Sequence, residues 1–124
     1  MYFKKELCDI LKLNSNIKFG YLFGSFASNI QHKNSDIDIA LYFKDGIDMF
    51  DEILKVHHQL EIKLNKQIDI VNLNEIKNIY LLEDILKNNI LLKDSLDDSR
   101  IMFEIYKHHQ VLDFKEYRKF SDVA

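Results

Sequence analysis

The sequence predicts an α/β fold in which helices alternate with three or four strands. Two observations carry this reading. Segments with apolar residues at helical spacing alternate with short runs rich in β-branched and aromatic residues. The 124 residues include no proline and three glycines, a composition of long regular elements and short connections without linker, repeat or low-complexity tract. A chain of this length is expected to form one domain, 1–124, large enough to bury a core.

Taken in order, residues 2–13 have Phe3, Leu7, Ile10 and Leu11 on one face of an amphipathic helix. Cys8 lies beside that stripe, where a buried structural thiol is expected, since no cationic neighbour in sequence would lower its pKa. Asn14 to Asn16 break the helix, and Ile17–Phe23 reads as a strand. Residues 25–31 are expected to form a short helix, and 32–35 return the chain to a second strand over 36–43. Lys44-Asp45-Gly46 is a turn. Residues 48–65 form a helix with Phe50, Ile53, Leu54, His57, Leu60 and Leu64 as its inward stripe. His57-His58 is not a zinc pair, because adjacent helical residues point about 100° apart; one is expected to face the core and the other water. Residues 66–73 are a third strand, 75–87 a helix ended by Asn88-Asn89, and 90–92 a short extended segment. Ser95 and Asp98 have the spacing of a capping box opening a last helix over 96–109, which places His108-His109 at a solvated end. The tail, 111–120, carries Phe114, Tyr117 and Phe120, which complete the core or form part of a partner surface.

The composition narrows the functional classes. Hydrophobic content of 47% and charged content of 30% fit a globular protein, and the net charge of −3 provides no footprint for non-specific nucleic-acid binding. The single cysteine excludes an internal disulfide and fits a reducing compartment. Lys4, Lys5, Glu6 and Asp9 interrupt any signal-peptide pattern, and no apolar run approaches membrane-spanning length. A cytoplasmic location is expected, with no membrane and no direct nucleic-acid partner.

The chemistry concentrates between the first two strands. Gly24-Ser25 follows the first, and after ten residues Asp36-Ile37-Asp38 opens the second. Strand alternation sends Asp36 and Asp38 to one face and Ile37, Ile39 and Leu41 to the other. Two carboxylates on one face repel, and a divalent cation neutralises them; paired Asp oxygens suit Mg²⁺, which shares its coordination with water and substrate phosphates. Glycine lets backbone approach a ligand closely, and Ser25 would open a helix whose free N–H groups favour phosphate. A third acid, Asp69, interrupts the apolar third strand, where propensity and desolvation both disfavour it.

Gly24-Ser25, ten residues, then Asp-x-Asp resembles the signature of the DNA polymerase β-like nucleotidyltransferase superfamily. The short chain is similar to its minimal nucleotidyltransferase (MNT) branch, the antitoxin half of HEPN/MNT toxin–antitoxin pairs, most strongly over residues 19–73. The resemblance implies a small mixed sheet flanked by helices, with Asp36, Asp38 and Asp69 as catalytic and metal-binding residues and Gly24 and Ser25 positioning the nucleotide. It implies two Mg²⁺ ions about 3.5–4 Å apart, ATP as donor, and a tyrosine of a HEPN-family ribonuclease toxin, bound as a hetero-oligomer, as acceptor. Ser28 and Asn29 stand where the family commonly has an arginine, and a serine cannot brace a phosphate bidentately. Lys33 or His32 could substitute, or both are solvated loop residues. Two alternatives stay open: an antitoxin that neutralises by binding alone, and transfer to a small molecule.

Overall fold

The computed structural model describes residues 3–27 and 36–123. Four strands, β1 (Ile17–Phe23), β2 (Ile37–Phe43), β3 (Ile68–Asn72) and β4 (Ile90–Lys93), form one mixed sheet in the order β3-β2-β1-β4. β1 is antiparallel to both β2 and β4, whereas β2 and β3 run parallel. Helices α1 (Lys4–Leu13) and α2 (Met49–Leu64) cover one face, and α3 (Ile79–Lys87) and α4 (Ser99–Val123) the other.

Strand alternation divides the core in two. Ile37, Ile39 and Leu41 of β2 are fully buried with Leu7 and Leu11 of α1 and Val56 and Leu60 of α2. Ala40 faces the opposite way, with Phe19, Tyr21 and Phe23 of β1, Leu82 and Ile85 of α3, and Phe103 and Val111 of α4. The register shifts between Ile17 and Phe19, and this irregularity lets Ile17 join the first core while Phe19 faces the second. Phe19 stacks on Tyr42, ring centroids 4.9 Å apart, and Phe103 closes the cluster at 5.5 Å from both.

A polar clamp fastens α4 to the sheet. The buried Tyr21 hydroxyl donates to Glu104 Oε1 at 2.6 Å. Arg100 donates to both oxygens of Glu104 and makes a two-pronged contact with Asp94 at 2.7 and 3.1 Å. Burial, then the hydrogen bond and charge of Glu104, hold the Tyr21 hydroxyl well above the usual phenol range.

Several expectations need correction. Phe50 and Leu54 are solvent-exposed at 75% and 53%, and α2 buries Val56 and Leu60, so its inward face is rotated from the expected one. His57 is half-buried and bonds Glu61 at 2.8 Å, while His58 is exposed. α3 begins four residues late. Asn74 pins the chain to β2 by exchanging two hydrogen bonds with the Phe43 backbone at 2.8 and 2.9 Å, and Asn78 then caps the helix. Ser95 and Asp98 do not form a reciprocal box: Asp97 accepts from the Ser99 N–H, and the Ser95 hydroxyl from that of Arg100. α4 does not end at His109, since Lys115 pairs with Glu83 and Phe114 packs edge-on to Tyr80, carrying it to Val123. Within the tail Phe114 is half-buried and Tyr117 exposed. Cys8 is half-buried, a free thiol packed against the first core.

Candidate functional site

The topology brings one end of each of three strands together. β1 ends at Phe23, β2 begins at Ile37 and β3 at Ile68. Because β1 opposes β2 and β3 accompanies it, those termini share one edge of the sheet. Phe23 lies opposite Asp38, and Asp38 is in register with Asp69 across the parallel pair. The Ile37 N–H donates to the Gln67 carbonyl at 2.9 Å and fixes that register. Two acids from sequence positions 31 apart thus stand side by side on one face. Asp36 immediately precedes β2 and is half-buried, as is Asp38; Asp69 is exposed.

Gly24 completes the corner. Its φ of +74° lies in the left-handed region, and a Cβ built there would stand 2.3 Å from Asp38 Oδ2. The glycine therefore serves two purposes, allowing the turn out of β1 and leaving room for the Asp38 carboxylate. Residues 24–27 form a turn instead of the start of a helix. Ser28, Asn29, His32 and Lys33 lie outside the described residues.

The electrostatics are those of carboxylates crowded at one edge of the sheet. Burial raises the Asp38 pKa above its ordinary 3.8, and Asp69 and then Asp36 raise it further by charge repulsion. Asp38 forms no ion pair among the described residues. Among the described residues no group of three His, Cys, Asp or Glu side chains could hold a metal ion by itself. A hard cation that takes one or two carboxylates and completes its shell with water and phosphate oxygens fits this donor set; an all-protein cage does not.

Beside this corner, at the start of β3, lies an open concavity of ≈ 410 Å³ lined by His57, Glu61, Asn65, Lys66 and Gln67. Lys66 Nζ sits 5.7 Å from the ring centroid of Phe26, in the turn after Gly24, and 5.9 Å from that of Phe3. Nothing in the sequence marks Lys66, which reads there as the polar boundary of a strand.

The polymerase beta nucleotidyltransferase profile matches residues 5–98. This chain belongs to the polymerase beta nucleotidyltransferase family. Among relatives of this nucleotidyltransferase, a Methanocaldococcus jannaschii chain assigned as a protein adenylyltransferase is 34% identical over 88 residues, 71% of this chain and 86% of that one. The protein adenylyltransferase MntA of Shewanella oneidensis is 27% identical over 103 residues, 83% and 73% of the two chains. A crystal structure of a toxin–antitoxin with AMP-PNP superposes at a TM-score of 0.73 with 25% identity over 97% of each chain. A complex of tri-AMPylated Shewanella oneidensis HEPN toxin with MNT antitoxin matches at a TM-score of 0.68 over 98% of this chain and 96% of that one. At 21% identity, that last likeness is one of fold.

The expected mixed sheet flanked by helices is thus the nucleotidyltransferase fold, and Asp38 and Asp69 stand side by side at one edge of its sheet. Among the described residues no helix is long and apolar enough to cross a membrane.

Proposed function

We propose that this nucleotidyltransferase transfers AMP from ATP to a tyrosine hydroxyl of a HEPN ribonuclease toxin and acts as that toxin's antitoxin, in the cytoplasm and from a single domain. The observation that carries the reading is the in-register pair Asp38 and Asp69 against the Gly24 turn. Its support from relatives is the name protein adenylyltransferase, borne by chains 34% and 27% identical.

In this reading Asp36, Asp38 and Asp69 would contribute one or two carboxylates to each Mg²⁺, and the metal would supply positive charge against the phosphates and the leaving group. Gly24 and Ser25 present backbone N–H groups to the β- and γ-phosphates. The tyrosine oxygen forms a bond to the α-phosphorus as the bond to the α,β-bridging oxygen breaks, and pyrophosphate leaves with that electron pair. The phenol proton passes to Asp69, the exposed member of the pair and so the one an acceptor can reach. Asp38, closed in by the Gly24 turn, fixes the geometry from beneath.

The test is to incubate the purified chain with α-labelled ATP, Mg²⁺ and its co-purified toxin. Label should appear on toxin tyrosine and fall at least about 10³-fold in Asp38→Asn and Asp69→Asn. Toxin neutralisation that survives in both variants while label transfer is absent from wild type would replace this reading with a non-catalytic antitoxin.

A further inference from the structure

We propose that Lys66 is the cation that holds the β- and γ-phosphates of the bound nucleotide, reaching them across the Phe26 ring of the Gly24 turn. The proposal rests on the reading above that the corner binds ATP. A nucleoside triphosphate adds about four negative charges to a corner already holding Asp36, Asp38 and Asp69, and divalent ions offset only part of that total. A protein cation beside the phosphates would offset part of the remainder.

The chain's arginines do not supply it, and Lys33, named above as a possible substitute, lies outside the described residues. Both Arg100 and Arg118 stand on α4, Arg100 committed to Asp94 and Glu104, and Arg118 to the Tyr80 hydroxyl at 2.6 Å. Lys66 differs in place and in partners. It precedes β3 by two residues, at the sheet edge where Asp38, Asp69 and Gly24 meet, and because its ring partners belong to the first core it reaches that edge from the face opposite the two acids. Its ammonium lies over the faces of Phe26 and Phe3, whose rings meet edge to face at 5.0 Å. Two aromatic faces hold a cation in place without neutralising it, because the ring quadrupole leaves the full charge available to a ligand. Among the described residues Lys66 forms no ion pair with any carboxylate. The concavity beside it is open to solvent. A partly desolvated ammonium with no carboxylate partner among the described residues, braced against the turn that follows Gly24, is suited to a phosphate tail.

The test is calorimetric titration of the full chain with AMP-PNP and with AMP, each with Mg²⁺, in wild type, Lys66→Met and Lys66→Arg. Met keeps the apolar contact with Phe3 and Phe26 and removes the charge. The expected result is a loss of about tenfold or more in AMP-PNP affinity for Lys66→Met, unchanged AMP affinity, and recovery of most of the loss in Lys66→Arg. A residue that only braces the turn would weaken both nucleotides together. That outcome overturns the proposal, as does AMP-PNP affinity within about twofold of wild type in Lys66→Met. If wild type transfers label to the toxin and Lys66→Met does so with the same KM for ATP, this proposal alone falls. Wild type that binds no triphosphate overturns both this proposal and adenylyl transfer.

Discussion

Gly24 shows how one residue type can decide a site. Its positive φ and the 2.3 Å approach of Asp38 Oδ2 to any Cβ are separate demands, and they can be tested separately. Gly46 has a φ of +80° with nothing within 4 Å of a Cβ. Gly24→Ala and Gly46→Ala should therefore each cost about 1–2 kcal/mol in urea denaturation, the strain of a left-handed alanine. Only Gly24→Ala should also reduce label transfer, by about 10²-fold or more, because it displaces the Asp38 carboxylate. Equal activity in the two variants would separate Asp38 from the chemistry. The Gly-Ser and Asp-x-Asp spacing was readable from residue types alone, since a turn glycine and alternating acids follow local rules. Lys66 was not readable, because the ring that makes it notable lies 40 positions away in the chain.

At the scale of elements, α2 separates what periodicity can say from what it cannot. Residues 48–65 carry apolar side chains on two sides, so helical spacing establishes a helix and leaves its inward face open. Packing against β3 and α1 selects Val56 and Leu60 and leaves Phe50 in water. Leu60→Ala should cost about 2–5 kcal/mol and Phe50→Ala within about 0.5 kcal/mol, read from urea midpoints. The reverse order would restore the face expected from sequence. The starts of α3 and α4 were misplaced for a related reason. The Asn74–Phe43 bonds and the Asp97 cap are long-range or irregular, and no local pattern announces them.

For the whole molecule, the acidic corner sets stability against function. The folded state raises the Asp38 pKa above its ordinary 3.8, so its contribution is fully present below about that pH and is lost as pH rises through the folded value. At neutral pH the metal-free protein carries Asp38 as a liability. Asp38→Asn should melt a few degrees above metal-free wild type at pH 7, with the gap closing as pH falls toward 4. Millimolar Mg²⁺ should raise the melting temperature of wild type and leave Asp38→Asn nearly unmoved. A thermal scan across pH with and without Mg²⁺ reads both effects, and a wild type indifferent to Mg²⁺ would contradict the proposed ligands.

Local chemistry in the sequence was enough to establish the α/β class, the strands that carry the acids, the glycine-serine turn and the candidacy of Asp36, Asp38 and Asp69. These follow from alternation, turn preference and the cost of placing carboxylates among apolar residues, all of which act over a few neighbours. Tertiary structure alone decided that β3 lies parallel to β2 with Asp69 beside Asp38, which face of α2 is buried, how far α4 runs, and that Lys66 rests on the turn. Those outcomes depend on contacts between segments distant in sequence, where the burial available from several partners outweighs any local preference.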